Sequence, residues 1–232
     1  MMRTTHISIG LLVLYAIYLV RLICILPFFL KQRQDDSPLR LNSKRKGQLK
    51  VFVFLGSGGH TGEMLRLLEN YSDLLLANSN TLFVGYSDTQ SRAAFAQLAK
   101  KTDLKCRIEF YEFIKAREVN SSYFSSFVTI VRTLVDSCFK ALSISLRFYS
   151  SPHLVLLNGP GTCCVLALWF KLFEWVNLFQ SRSNIVYVES LARITSLSLS
   201  GKLLYWLADS FVVQWKELQI AKPRAEYYGI LV

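Results

Sequence analysis

The sequence predicts an α/β fold built on a parallel sheet, and two patterns after residue 50 carry that prediction. Short apolar runs alternate with helical patterns, which is the order expected of successive strand–helix units. Most of the apolar runs are continuous rather than alternating, as in strands that a parallel sheet buries on both faces. Together these patterns favour a doubly wound, Rossmann-like sheet.

The elements follow from these patterns in chain order. The predicted strands are Lys50–Leu55, Thr81–Gly85, Arg107–Phe113, Leu154–Leu157, Asn184–Val188 and Phe211–Trp215. The predicted helices lie near residues 60–70, 90–101, 122–149, 161–178 and 200–208. The apolar stretch 162–180 is interrupted by Lys171 and Glu174, which favours a buried helix over a membrane span. The stretches 122–149 and 196–207 are predicted to be core-facing helices, and contact with a lipid surface is the alternative.

The composition indicates one folded domain with an apolar appendage. Of the 232 residues, 52% are hydrophobic and 19% charged, against about 45–50% and about 25% in typical soluble domains. These values exclude a disordered or a collagen-like chain. At about 150 residues per domain, the length is enough for one domain and an appendage.

The appendage is the N-terminal segment, residues 1–30, in which the mainly apolar residues 7–30 carry one charge, Arg21. A helix of roughly 20 apolar residues spans a bilayer. The run exceeds the about 7–15 apolar residues of a signal peptide and lacks a small-residue cleavage site. We therefore expect an uncleaved transmembrane anchor, with an amphipathic helix in the membrane plane as the alternative.

A basic linker, residues 31–49, follows the anchor and sets its expected orientation. Residues 31–50 carry +5 of the formal net charge of +11, and basic residues flank membrane spans on the cytosolic side. Residues 31–232 are therefore expected in the cytosol and the N-terminus in the lumen. The five cysteines show no zinc-ligand spacing. No metal or cofactor is expected, and the mildly basic remainder of the chain predicts no nucleic-acid partner.

Two glycine-bearing turns each follow a predicted strand and open a predicted helix. The first contains Gly56, Gly58 and Gly59, and the second contains Gly159 and Gly161. Glycine lets backbone N–H groups approach a ligand closely, and a helix N-terminus attracts phosphate. The turns therefore predict a phosphate or sugar-phosphate site, and tight structural turns are the alternative.

Known nucleotide fingerprints fit the first turn poorly. A Walker loop ends in Gly-Lys-Ser/Thr, which is absent, and Thr61 stands where a dinucleotide fingerprint has its third glycine. A membrane-tethered dinucleotide oxidoreductase, with Asp88 as the acid on the ribose, is therefore a weak alternative.

Ionisable side chains lie at the same predicted sheet edge. His60 follows the first turn, and an imidazole can take up or donate a proton near neutral pH. Glu63 is predicted to cap the following helix. Asp88, Glu189 and Arg193 lie at other strand ends, which meet at one edge in a parallel sheet. Each of these three is alternatively a helix cap or a surface ion pair.

Four motifs, taken in order, resemble one known family. GSGGHTGEM, NGPGT, YVESLAR and SLSLSGKLLYWLAD follow one another as in the ALG fourteen family, the membrane-anchoring subunits of the UDP-N-acetylglucosamine transferase of asparagine-linked glycosylation. The resemblance implies the N-terminal, acceptor half of a GT-B glycosyltransferase, similar to the bacterial MurG-type enzyme. It also implies a soluble donor-binding subunit of the ALG thirteen type, recruited to the cytosolic face of the endoplasmic reticulum.

The same resemblance implies a reaction and a set of site residues. The complex transfers N-acetylglucosamine from UDP-N-acetylglucosamine to N-acetylglucosaminyl-diphosphodolichol, and association with other early enzymes of that lipid-linked pathway is expected. His60 ranks above Glu189 as the general base. The expected acceptor-binding residues are Gly56, Gly58, Gly59, Thr61, Asn158, Gly159, Gly161, Asp88 and Arg193. A scaffold without active-site residues is the alternative.

The C-terminal tail ends in three apolar residues, Ile230, Leu231 and Val232. A free apolar terminus frays unless something holds it. We expect this tail to dock against the donor-binding partner, and a final strand or packing on the chain's own domain is the alternative.

Overall fold

The continuous apolar runs of the sequence form the strands of one parallel sheet. The structure is a computed structural model that describes residues 10, 12–20, 23, 48–114, 123–149, 151–176 and 183–232. Within these ranges the sheet has seven strands, in the order β3-β2-β1-β4-β5-β6-β7, and all neighbours are parallel. The strands are β1 (Lys50–Leu55), β2 (Thr81–Tyr86), β3 (Arg107–Glu112), β4 (His153–Asn158), β5 (Ile185–Val188), β6 (Ser210–Val213) and β7 (Glu226–Tyr227).

The helices connect these strands. In the described ranges after residue 48 they are α1 (Gly59–Asn70), α2 (Ser72–Leu75), α3 (Thr89–Lys101), α4 (Tyr123–Phe148), α5 (Gly161–Val176), α6 (Leu199–Leu207) and α7 (Lys216–Ala221). The predicted α/β class and parallel sheet are confirmed, and the predicted elements are found within two residues of their expected ends. The prediction missed α2, α7 and β7, because elements of two to six residues are too short to show a period.

Two apolar clusters cover the two faces of the sheet. Successive side chains of a strand point to opposite faces, so Phe52 and Phe54 belong to one cluster and Val51 and Val53 to the other. The first cluster packs under α4, α5 and α6, and the second packs under α1 and α3. Burial on both faces accounts for the continuous apolar runs in the sequence.

Helices α4 and α6 bury one face each, as the core-facing interpretation predicts. Ile144 and Phe148 of α4 and Leu204 of α6 are buried. The opposite faces expose large apolar side chains, such as Phe139 at 68% and Leu199 at 78%. Contact of these outer faces with lipid stays a prediction.

The predicted N-terminal anchor is described only in small part. Of residues 7–30, positions 10, 12–20 and 23 are helical and the others lie outside the described residues. The predicted linker, residues 31–49, lies outside them too, except for residues 48 and 49. Among the helices that the structure describes, none combines the length and the hydropathy that crossing a membrane requires.

A buried ion-pair cluster links α5 to Asp209, between α6 and β6. Lys171 donates hydrogen bonds to Glu174 Oε2 at 2.9 Å and to Asp209 Oδ1 at 2.6 Å, and the Lys171 and Glu174 side chains are 0% exposed. The second oxygen of Asp209 accepts the backbone N–H of Ile185 at 2.8 Å, the first residue of β5. The buried-helix interpretation of this segment is therefore confirmed, and its charges tie α5 to the sheet.

Lys171→Met is expected to lower the free energy of unfolding by about 3–5 kcal/mol, because it leaves two desolvated carboxylates without their cation. Urea denaturation of the purified chain, followed by tryptophan fluorescence, measures this change. Lys216→Met is the matched control, since Lys216 is exposed on α7 and its loss should change the value by about 0.5 kcal/mol or less. Equal unfolding midpoints for the two variants would contradict the prediction.

Candidate functional site

The two glycine turns meet at the carboxyl edge of the sheet, where the strand order reverses. The chain builds outward from β1 through β2 to β3 and then returns to place β4 on the other side of β1. Ligands of doubly wound folds bind at such a switch point. The turns are in contact, since a Cβ on Gly56 would lie 2.7 Å from Cδ of Pro160.

The first turn presents its backbone to open space. Gly58, the N-cap of α1, has φ 62° and ψ −128°, a conformation in which residues with a side chain are strained. A Cβ on either Gly58 or Gly59 would meet no atom within 4 Å. The first N–H groups of a helix have no partner within the helix, so this turn can accept an anion such as a diphosphate.

Thr61 holds this turn from the inside. Its hydroxyl donates a hydrogen bond to the carbonyl of Gly56. Ser91 of α3 donates to the same carbonyl at 2.8 Å, and the two hydroxyl oxygens also lie 2.8 Å apart. Thr61 is 5% exposed, so its side chain shapes the turn and does not face the open side where a ligand would lie.

The second turn packs its glycine against His60. Gly159 has φ 103°, and a Cβ there would lie 2.5 Å from Cγ of His60. Gly161 begins α5, and a Cβ there would meet no atom within 4 Å. The N-termini of α1 and α5 therefore open side by side, with the His60 ring between the turns.

Asn158 determines the hydrogen bonding of His60. The amide nitrogen of Asn158 donates to Glu63 Oε2 at 2.8 Å and to the carbonyl of Val188 at 3.1 Å. Both contacts require an amide N–H₂ group, so Oδ1 of Asn158 faces the His60 Nδ1 atom, 3.3 Å away. In the neutral form of the ring, the His60 Nδ1 atom then carries the proton and Nε2 carries the lone pair. The side chain of His60 is 36% exposed. Its Cβ, Cγ and Nδ1 atoms lie nearest Gly159, so Nε2, across the ring, is the nitrogen left for a ligand.

Glu63 takes a different role from the predicted one. Gly58 is the N-cap of α1, which places Glu63 beyond the capping-box position. Its Oε1 atom accepts hydrogen bonds from Ser190 Oγ at 2.7 Å and from the Leu191 N–H at 3.2 Å. The capping assignment is therefore wrong: Glu63 links α1 to the ends of β4 and β5. Its spacing of three residues after His60 on a helix was the available signal.

Glu189 is buried below the site, with 1% exposure. Its carboxylate accepts the N–H of Ser190 at 3.1 Å and both the N–H and the hydroxyl of Ser198 at 3.2 Å. Ser198 is the N-cap of α6, so this anion stabilises the positive end of that helix. Burial, and then the charge of Glu189, raises the pKa of Tyr187. The geometry favours His60 over Glu189 as the proton acceptor.

The other two predicted ligand residues, Asp88 and Arg193, follow the ends of β2 and β5. Asp88 caps α3, accepting the N–H of Ser91 at 2.7 Å, which fits the alternative that it is a helix cap. Arg193 lies on an exposed turn after β5. Within the described ranges, no group of three or more His, Cys, Asp or Glu side chains could hold a metal ion.

Comparison with known proteins assigns the family. The sequence matches the family described as "Oligosaccharide biosynthesis protein Alg14 like" over residues 51–231. The chain belongs to that family.

Its relatives include full-length matches from yeasts. It is 51% identical to the UDP-N-acetylglucosamine transferase subunit ALG14 of Candida glabrata, over 100% of this chain and 99% of the relative. It is 48% identical to the protein of that name from Saccharomyces cerevisiae, over 100% of both chains. It is 34% identical to that of Schizosaccharomyces pombe, over 92% of this chain and 98% of the relative.

The resemblance of the four sequence motifs is thereby confirmed. All four lie within the part of the chain that matches the Alg14 family. Membership in a family of oligosaccharide biosynthesis disfavours the oxidoreductase alternative.

The tail of this Alg14-family chain packs partly on its own domain. Strand β7 pairs with β6, and the Leu231 N–H donates to Gln214 Oε1 at 3.2 Å. The Leu231 carbonyl accepts from Asn70 at 2.9 Å, and Leu231 and Val232 pack against the second apolar cluster. These contacts fit the alternative that the tail packs on the chain's own domain. Docking of a partner on Ile230, which is 56% exposed, stays a prediction.

Gly159→Ala is expected to lower the free energy of unfolding by about 1–3 kcal/mol, because alanine is strained at φ 103° and its methyl group would overlap the His60 ring. Gly161→Ala is the control, since its Cβ enters open space and should change the value by about 0.5 kcal/mol or less. Denaturant unfolding of both variants measures the difference. Equal losses would show that the close approach of Gly159 to His60 is unimportant.

Proposed function

We propose that this chain is the membrane-held, acceptor-side subunit of a two-subunit UDP-N-acetylglucosamine transferase. The complex transfers N-acetylglucosamine to N-acetylglucosaminyl-diphosphodolichol at the cytosolic face of the endoplasmic reticulum. A soluble subunit of the ALG thirteen type binds the donor nucleotide. The word "subunit" in the names of relatives matched over nearly their whole length supports a second chain.

The observation that carries this proposal is the open side of the two glycine turns with the His60 ring between them. A GT-B transferase places its active site between two Rossmann-like domains, and the sheet described above is one such domain. The helix N-termini of α1 and α5 suit the acceptor diphosphate. The second domain, with the donor, comes from the partner and closes over this edge.

His60 is the general base in this scheme. As the acceptor hydroxyl oxygen attacks the anomeric carbon of the donor sugar, Nε2 takes the hydroxyl proton, and UDP leaves with the bonding electron pair. Because the Nδ1 proton is held toward Asn158, the lone pair stays on Nε2.

The N-terminal anchor and the basic linker hold the chain at the membrane that contains the acceptor. A polyprenyl diphosphate is embedded in the bilayer, so the subunit that binds it must be held there. Residues 7–30 form a single span, the N-terminus is lumenal, and the basic residues 31–49 follow the span on the cytosolic side. Other early enzymes of the same lipid-linked pathway gather at this surface.

His60→Ala is expected to lower kcat for sugar transfer by about 10²–10⁴-fold, the range of a lost general base. Transfer from radiolabelled UDP-N-acetylglucosamine to a short-chain lipid diphosphate acceptor measures it, with the two subunits co-expressed. Gln97→Ala, on the exposed side of α3, is the control.

Co-purification of the donor-binding subunit with the His60→Ala chain separates catalysis from assembly. We expect unchanged co-purification. If the variant also transfers sugar at the parent rate, the chain is a scaffold without active-site residues.

The proposed topology predicts that Asn70 and Asn120, both in Asn-x-Ser sequences, carry no glycan, because their part of the chain faces the cytosol. Protease added to sealed microsomes should digest residues 31–232, and treatment with an N-glycosidase should leave the mass of the chain unchanged. A glycan at either asparagine would refute the orientation.

A further inference from the structure

Glu63 is fixed at both of its carboxylate oxygens. Oε1 accepts from Ser190 Oγ at 2.7 Å and from the Leu191 N–H at 3.2 Å, while Oε2 accepts from the Asn158 amide at 2.8 Å. The same Oε2 atom lies 4.0 Å from Nδ1 of His60, and the side chain of Glu63 is 16% exposed. These hydrogen bonds therefore fix the carboxylate in one position, with Oε2 4.0 Å from the Nδ1 atom of the imidazole.

The orientation of the Asn158 amide depends on this carboxylate. Its N–H₂ group has two acceptors, Glu63 Oε2 and the carbonyl of Val188. Rotating the amide by 180° would turn its oxygen toward both acceptors and lose both hydrogen bonds. With Glu63 and the Val188 carbonyl both as acceptors, Oδ1 of Asn158 faces His60.

We infer that Glu63 is a positioning residue which, through Asn158, holds His60 in the tautomer with its proton on Nδ1. This inference rests on the proposed role of His60 as a base. An imidazole without such a partner divides between two tautomers, and only one of them has a lone pair on Nε2. When Nε2 takes a proton the ring becomes positive, and the Glu63 carboxylate stabilises that charge.

The competing explanation is that Glu63 only braces α1 against the turn after β5, through Ser190 and Leu191. Both explanations predict damage when Glu63 is removed. They differ in whether the loss of activity arises from a change in the tautomer of His60. The test must therefore measure that tautomer directly.

Glu63→Gln separates the two explanations because it keeps the size of the side chain. The glutamine oxygen can still accept from Ser190 and Leu191, but its N–H₂ group then faces the N–H₂ group of Asn158. Rotation of the Asn158 amide relieves this donor–donor contact, at the loss of the bond to the Val188 carbonyl, and presents a donor to Nδ1 of His60. The lone pair of His60 then moves to Nδ1 and the proton to Nε2.

The tautomer is read from ¹⁵N chemical shifts of the full-length chain in detergent micelles, labelled at its three histidines. We expect His60 to be protonated on Nδ1 in the parent and on Nε2 in Glu63→Gln. Glu69→Gln, on the same helix and 40% exposed, is the control and should leave the spectrum unchanged. A parent with the proton on Nε2, or a Glu63→Gln chain with an unchanged tautomer, overturns the inference.

Kinetics of the two-subunit complex give the second readout. Glu63→Gln should lower kcat about 10- to 100-fold and change the acceptor KM by less than about twofold, since binding of the diphosphate does not involve Glu63. In a His60→Ala background, Glu63→Gln should have almost no further effect. An undiminished effect in that background would show that Glu63 is a structural brace.

A second substitution should partly restore activity. In the Glu63→Gln chain, Asn158→Asp supplies a carboxylate that accepts from both the glutamine N–H₂ group and Nδ1–H of His60, at the loss of the bond to Val188. We expect the Nδ1–H tautomer and at least a threefold recovery of kcat. If neither the Nδ1–H tautomer nor kcat is restored, the inference is overturned. If His60→Ala transfers sugar normally, the proposed function fails, while the spectra still decide what Glu63 does.

Discussion

The reversal of strand order between β1 and β4 is the constraint on which the site depends. Two chain segments that are about 100 residues apart, residues 56–61 and 158–162, become neighbours because their strands are adjacent and parallel. Parallel strands deliver both turns to the same edge, and both following helices begin there. The contact is close enough that neither Gly56 nor Gly159 could carry a side chain without displacing its neighbours. Glycine is thus required for contact between the turns as well as for their backbone conformation.

Glu189 and Glu63, two acidic residues near this edge, differ in how deeply they are buried. Glu189 is enclosed beneath the surface and accepts hydrogen bonds from Ser190 and Ser198, so it acts as the anionic cap of α6. Glu63 lies nearer the surface and spans the gap between α1 and two strand ends. The same functional group therefore stabilises a helix in one position and sets the hydrogen bonding of an imidazole in the other.

Much of this architecture could be predicted from the sequence, because its main signals are long. Strand-like runs, most of them continuous and apolar, identified six of the strands, and glycine-bearing strand ends identified both turns. The role of Glu63 could not be predicted, because its partners Asn158 and Ser190 are about 95 and 127 residues away. Only the folded sheet brings those residues together. Thr61 was expected to face a ligand, and the orientation of one hydroxyl toward Gly56 cannot be read from spacing. Strand β7 has only two residues, too few for any periodicity.

The buried cluster around Lys171 has a consequence for the synthesis of the chain. Helix α5 is apolar over most of its length. If the chain is anchored as proposed, its synthesis at a translocon exposes this helix before α6 and β6 exist to cover it. A charged residue at the centre of a candidate span costs about 2.5–3.5 kcal/mol on the insertion scale. Lys171 and Glu174 therefore oppose entry of α5 into the lipid, and Asp209 becomes their partner only once β5 and β6 are in place. In the proposed topology, the cluster that ties α5 to the sheet in the finished domain thus also disfavours insertion of that helix into the membrane while the domain is still incomplete.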